Sequence, residues 1–460
     1  MKTSRTLNMT AGNPTRLLLG FAIPMLIGNL FQQTYSLADS MIVGQFLGSD
    51  ALAAVGSTGS VTFLFFSICN GIGSGAGIVT AQFFGAGMFA RTKRAIANAA
   101  YIMLTASLLM GVAAFFAAPL VLGMMGVPPE LMPDATTYMR MSCIGVPLVA
   151  VYNYSSSMLR SLGDSKTPLY FLIFSCFLNI ILDIFCVYSL NMGVFGAALA
   201  TIVSQVISGI GCLMYAICKN PYFRLTREDM QPDGEIIRQS VRLGLPLALQ
   251  WSLISVSSTA LQTFVNSFGA QAMAAFTATN RIEQLVHMPY GSISAALATY
   301  SGQNFGAHDM KRVKEGFRHG ILISSLFTLL MMVVYQLLNR PIMQLFVKEE
   351  AVILIGADAL KLTSWFYIFL SLIYMSRGVL NGVGDAMFAL MNGIVEVICR
   401  IVIPMVLVAL IPGIGRMGIW WTTVITWIIS AAFCMLRYVL WRNKADFSKS
   451  VVQMSGEEQP

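Results

Sequence analysis

The sequence predicts an all-α polytopic membrane protein, with twelve transmembrane helices in two parallel-repeat bundles of six. Three observations predict it. The 460 residues are 56% hydrophobic and only 11% charged, too apolar for a soluble domain. Apolar stretches of about 20 residues or more recur along the chain, each long enough to cross a bilayer core of about 30 Å as a helix. The second half of the chain also repeats the first at a fixed offset.

The first span, 17–43, is long and contains Pro24, which predicts a tilt or bend. Before it, Asn8, Thr10, Gly12 and Asn13 separate the basic Lys2 and Arg5 from the apolar run. That run is too long for a signal-peptide core and reads as a first spanning helix. The second span, 55–81, carries Gly71, Gly73, Gly75 and Gly77. Without a preceding strand or a following Lys-Ser/Thr pair they are not a nucleotide loop; small residues that let helices pack closely explain them better. Spans at 95–118, 135–159, 169–190 and 195–218 complete the first half. The longest polar stretch, 219–239, contains Pro221, Pro232 and Gly234 and reads as a linker. Six more spans follow, at 240–265, 273–300, 317–340, 357–380, 386–410 and 417–441. Strands of a β-barrel would be about 10 residues long and would alternate in polarity, and these do not.

The repeat has an offset of 221 residues. Gly48, Ala51, Ala53 and Ala54 match Gly269, Ala272, Ala274 and Ala275. Gln82, Phe84, Gly85 and Ala86 match Gln303, Phe305, Gly306 and Ala307, and Arg91 and Lys93 match Arg312 and Lys314. Leu159, Gly163 and Asp164 match Leu380, Gly384 and Asp385. Six spans per half is an even number, so both halves enter the membrane from the same side, as a parallel repeat. The expected organisation is an N-terminal lobe, 1–218, a cytoplasmic linker, 219–239, a C-terminal lobe, 240–443, and a cytoplasmic tail, 444–460.

Of the 29 Lys and Arg residues, 22 fall on one set of alternate loops and termini, which the positive-inside rule assigns to the cytoplasm. Arg377 is counted there, as a loop residue after the tenth span. Both termini are then cytoplasmic, and the net charge of +8 reflects these loops rather than nucleic-acid binding. The eight Cys residues are scattered singly without metal-ligand spacing and read as small buried hydrophobes. With three His residues in total, a metal site is not expected beyond a sodium ion, and no cofactor is expected. No ATP-binding module is recognisable, so uphill transport would draw on an ion gradient. A passive channel would need a ring of repeated pore motifs, and a membrane enzyme a clustered nucleophile and base; neither is evident.

Two carboxylates stand inside the long apolar spans of the first half, Asp39 and Asp183. A charged side chain there costs roughly 2.5 to 3.5 kcal/mol on insertion scales, so such residues mark ion or proton pathways. Tyr35 and Gln32 precede Asp39 by one and two turns and share its face, positioned to donate hydrogen bonds to it. The bland alternative places Asp39 at the outer end of its helix, facing water. Asn179 lies one turn before Asp183, and the two read as one polar site or as a structural cross-helix bond. In the second half, Arg281 and Glu283 form a candidate polar site with Glu396 and Arg400, an i, i+4 pair in the favourable order that equally suits a structural ion pair. The 29 Met and 29 Phe residues suit a broad cleft for amphipathic cations.

The chain resembles the multidrug and toxic compound extrusion (MATE) family over about residues 13–443. The carriers are "GNPTRLLLGFAIPMLIGNLFQQTYSLADSMIVGQFLGSDALAAVG", "GIGSGAGIVTAQFFGAG" with Arg91, Lys93 and Arg94, "SSSMLRSLGDSKTP", and the echo "FGAQAMAAFTATNRIEQL" with "SGQNFGAHDMKRV". The resemblance implies export of cationic or amphipathic compounds from a bacterial or archaeal plasma membrane by alternating access, coupled to H+ or Na+. A monomer among membrane lipids is expected. Asp39 matches the acidic residue of the family's first helix, Pro24 the proline at which that helix is suggested to bend, and Asn179 with Asp183 the polar pair of the branch resembling DNA-damage-inducible protein F. Coupling is therefore expected at Asp39, Asp183, Asn179 and Tyr35. The sodium-coupled NorM-like branch uses acidic residues of helices 7 and 10, and here 240–265 has none and the tenth span has only Asp358, near its edge. The wider superfamily includes lipid-linked glycan flippases, so export of a lipid is the alternative.

Overall fold

The structure is a computed structural model that describes residues 6–411 and 413–444. Lys2, Arg5, Lys449 and nearly all of the expected tail lie outside the described residues. The described residues form thirteen α-helices and no strand. The first half contains α1 (Pro14–Leu47), α2 (Ser49–Gly85), α3 (Phe89–Met124), α4 (Met132–Ser161), α5 (Lys166–Asp183) and α6 (Gly193–Lys219). The second contains α7 (Gly234–Asn266), α8 (Ala270–Gly306), α9 (Met310–Gln344), α10 (Glu350–Trp365), α11 (Tyr367–Gly382), α12 (Ala386–Leu410) and α13 (Gly418–Lys444). Seven of the spans are long and apolar enough to cross a membrane on length and composition, and α10 with α11 makes an eighth. The others are diluted by Gly, Ser, Thr and charged residues.

The twelve expected spans correspond to these helices, with one correction. The span expected as one helix over 357–380 is two, bent by 53° at Phe366. No proline or glycine sits at the break. Instead the Ser364 hydroxyl donates to the Lys361 carbonyl at 3.0 Å, competing with the helical ladder just before the bend.

The repeat extends to backbone conformation. Gly48 and Gly269, and Gly163 and Gly384, all adopt the left-handed φ that costs a side chain energy. At the α2–α3 turn Gly87 has φ 74°, and the equivalent residue of the second half, His308, takes φ 60°.

The chain divides into two compact units that cut across α1 and α7. Among the described residues, one unit comprises 6–8 plus Ile23–Leu249, and the other Met9–Ala22 plus the residues from Gln250 to Lys444. In the first unit α7 approaches α2 at two glycines. A Cβ on Gly71 would run into the Ala248 backbone, and one on Gly75 into Gly244. The segment before α7 is clamped onto α3. Lys93 pairs with Asp229 at 2.7 Å, Asn98 accepts from the Asp233 amide at 2.9 Å, and the Tyr101 hydroxyl donates to the Met230 carbonyl at 2.8 Å. Partial burial works against the Asp229 charge, but hydrogen bonds from Lys93 and Thr226 outweigh it and hold the carboxyl below its usual range.

In the second unit an equivalent clamp holds the segment before α1. Met9 stands at the position of Met230, and His319 at that of Asn98. The Met9 amide donates to Gln303 at 2.8 Å, its carbonyl accepts from Asn304 and Arg312 at 3.1 Å each, and Thr15 meets His319 at 2.7 Å. The core of this unit surrounds Tyr290, Tyr335, Tyr367 and Trp427. That of the first unit includes Ile96, Met103, Met158 and Phe223. Seven of the eight cysteines are buried, and none is paired.

Candidate functional site

Four helices of the first unit bring polar side chains to one place. α1 supplies Tyr35 and Asp39, one turn apart; α4 supplies Tyr138; α5 supplies Asn179 and Asp183; α6 supplies Thr201. Asp183 and Asn179 are essentially inaccessible, at 0% and 1% exposure, and Asp39 is half-buried. The two carboxyl groups stand within hydrogen-bonding reach of each other, with the Tyr35 and Tyr138 hydroxyls in their field. Two carboxyl groups so close need a proton or a cation between them, because two bare charges repel.

The Asn179 amide is oriented with its nitrogen towards Asp183, donating at 2.8 Å, and its oxygen accepts from the Thr201 amide at 3.2 Å. The opposite orientation would set oxygen against acceptors. Thr201 is also the partner of Tyr35, hydroxyl to hydroxyl at 3.2 Å. One oxygen each of Asp39 and Asp183 is buried without a hydrogen-bond partner. Buried unpaired carboxylate oxygens are where a proton, a water or a cation belongs.

Local backbone structure aims Asp183. α5 ends at this residue and continues as a wider π turn over Ile184–Ser189, a distortion frequent at functional sites. Val187 of this turn packs with Val43, Ala51, Val194 and Ala197 in a small apolar cluster on which Tyr138 also packs. Asp39 therefore belongs to a multi-helix cluster rather than to a helix end facing only water. Two sequence expectations change here. The Tyr35 hydroxyl pairs with Thr201, which α6 brings in by packing beside α5, and Gln32 is exposed. Tyr138 and Thr201 were missed. Their only sequence signal is a polar atom in an apolar span, which they share with many residues that merely bond their own helix.

The second unit has a different polar cluster, and its pairing departs from expectation. Glu396 pairs with Arg377 of α11, not with Arg400. Asn392 also donates to Glu396 at 3.2 Å, and the Ser430 hydroxyl shares its one proton between the Asn392 oxygen at 2.9 Å and Glu396 at 3.1 Å. Arg377, counted in the sequence among loop residues, is buried and inside a helix; a guanidinium there needs a carboxylate, and α12 presents one. Arg400 instead reaches the Ser258 hydroxyl at 3.4 Å. Glu283 is buried near Thr363, Tyr367 and Arg400, whereas Arg281, two residues away and on the other face of α8, is exposed. His287 bonds the Tyr374 hydroxyl at 3.1 Å. Among the described residues no group of three or more His, Cys, Asp or Glu side chains could hold a metal.

A helical membrane protein of two pseudo-equivalent halves, with carboxyl groups buried among its spans in both of them, has the build of a transporter. The family model described as MatE matches residues 24–185 and 246–406. The chain belongs to this family of membrane transporters. It is 30% identical over 359 residues to the probable multidrug resistance protein YoeA of Bacillus subtilis, covering 76% of this chain and 77% of that one. It is 25% identical to the probable multidrug resistance protein NorM of Thermotoga maritima, over 95% of this chain and 96% of that one. A crystal structure described as MATE in the bent conformation superposes with a TM-score of 0.90 at 23% identity, covering 99% of this chain and all of that one. One described as MATE in the straight conformation gives 0.86 at 25% identity, over 96% and 99%.

Proposed function

We propose that this protein exports small amphipathic or cationic compounds across the plasma membrane as a cation antiporter, by alternating access, with both termini in the cytoplasm. The Asp39–Asp183 pair carries the reading. One proton, or one Na+ with oxygens from Asp39, Asp183, Tyr35, Tyr138 and Asn179, relieves the repulsion between the two carboxyl groups. Loss of that ion restores it, which gives the site two states of different shape. Helix α1 couples the change onward, since it carries Asp39 and passes Pro24, where the missing N–H leaves a ladder bond unmade and the helix free to bend. The likeness to the branch resembling DNA-damage-inducible protein F supports the same assignment. Names of relatives, two multidrug resistance proteins among them, support drug-like substrates. We favour H+ because the two carboxyl groups are within hydrogen-bonding reach of each other.

The test is dye efflux from proteoliposomes under separately imposed proton and sodium gradients. Extrusion that survives collapse of both gradients excludes antiport. Extrusion that follows sodium alone keeps the site and changes the ion. Failure across a panel of cations, with transport of an anionic lipid, reassigns the protein as a flippase.

A further inference from the structure

One end of the second unit carries charge and aromatic groups that the transport site does not use. Phe317 of α9 and Tyr438 of α13 stack with ring centroids 4.0 Å apart, and Trp441 lies against Tyr438 at 6.1 Å. Arg318 follows Phe317 directly on α9, and Arg442 lies one turn after Tyr438 on α13, so the ring contact brings the two arginines, from different helices, to the same end of the unit. Both arginines are exposed, and among the described residues neither has a carboxylate within ion-pair distance. The nearby Asp385 is taken by Arg437 at 2.7 Å. Along α9, the face of Arg318 continues as an exposed apolar stripe through Leu322, Leu326, Leu329 and Val333.

Lone exposed arginines are ordinarily solvated. Here two of them, from separate helices, flank a buried Phe317–Tyr438 contact beside the partly exposed Trp441, at the end of an apolar stripe of bilayer-facing character. Guanidinium groups take phosphate oxygens by paired, charge-assisted hydrogen bonds, and Tyr and Trp settle at headgroup depth. We infer that this is a binding site for an anionic phospholipid. Arg318 and Arg442 hold the headgroup phosphate, the Tyr438 hydroxyl donates to it, and the acyl chains lie along the α9 stripe. The basic end of the helices is also where an anionic leaflet attracts charge.

The full-length protein, purified in detergent, is titrated with phosphatidylglycerol, phosphatidylcholine or inorganic phosphate, and bound adducts are counted by native mass spectrometry. Phosphatidylglycerol is expected to bind about 30-fold more tightly than phosphatidylcholine, the contribution of two arginines near a lipid surface. The double variant Arg318→Gln/Arg442→Gln is expected to lose that preference, and each single variant about five-fold of it. These are exposed positions, and the single variants keep the test readable if the double variant is unstable. Arg238→Gln/Arg242→Gln, two exposed arginines of α7, is the charge-matched control and should bind as wild type. The inference fails if the double variant keeps the preference, or if the control loses it equally. It also fails if inorganic phosphate displaces the lipid at equal concentration, which would make this a free-anion site.

Discussion

The Asp183→Asn variant tests the coupling site most directly. Asn is nearly the same size, and its oxygen can still accept the 2.8 Å hydrogen bond from Asn179. Its NH2 can donate to Asp39 as a protonated carboxyl would, so the variant should fold while holding one state of the switch permanently. The magnitude follows from what is removed. What is removed is the proton dependence of the hydrogen bond between the two carboxyl groups, a bond to a charged group that contributes about 1.5 to 3 kcal/mol, whereas moving a conformational ratio from 1:99 to 99:1 takes about 5.5 kcal/mol. One carboxyl therefore supplies a quarter to a half of a full switch, and the rest must come from the repulsion with Asp39 and from substrate. Losing it should reduce gradient-driven efflux about 10- to 150-fold. The thermal midpoint should stay within a few degrees of wild type, because the fully buried side chain keeps its shape and its Asn179 partner. Ethidium efflux from proteoliposomes with an imposed proton gradient reads the first quantity, and a melting curve the second. Full gradient-driven efflux in both Asp183→Asn and Asp39→Asn would refute the reasoning.

Three further outcomes are expected. Arg377→Met leaves Glu396 as a buried unpaired charge and should destabilise the protein by about 3 to 5 kcal/mol, with most of that recovered in Arg377→Met/Glu396→Met; a double-mutant cycle on thermal unfolding checks it. Gly75→Val drives a branched side chain into the Gly244 backbone of the same unit and should cost about 1 to 3 kcal/mol or more, read as a lowered melting temperature against Gly87→Val, whose site has open space for a Cβ although its positive φ adds strain. The Asp229 carboxyl is held below its usual range, so its stabilising contribution is complete above the unfolded value of about 3.9 and is lost as pH falls through the lower folded value. The stability gap between wild type and Asp229→Asn should accordingly be constant from pH 7 to about 5 and shrink below about 4, and a gap that widens on acidification would be the wrong sign.

The sequence by itself determined the twelve spans, the duplication and the two carboxylates. Each of these rests on one-dimensional physics: a helix needs about 20 apolar residues to cross a bilayer, repeats survive as matched positions, and a charge in hydrocarbon is conspicuous wherever it falls. Asn179 was legible through Asp183, because residues four apart share a helix face. What only the tertiary structure decided is which helices face each other. Tyr138 and Thr201 lie far along the chain from Asp39, and neither is charged, so no spacing rule connects them to it. Glu396 illustrates the same limit in the opposite direction. Its nearest sequence partner, Arg400, was the natural expectation, yet packing of α11 beside α12 delivered Arg377, and a buried guanidinium beside a carboxylate outweighs an i, i+4 preference of a few tenths of a kcal/mol. The unit boundaries inside α1 and α7 have the same origin. Sequence marks where an apolar helix begins and ends, but the hydrogen bonds at Met9 and Met230 and the glycine contacts at Gly71 and Gly75 assign each end of these helices to a compact unit, and they exist only once distant segments have met.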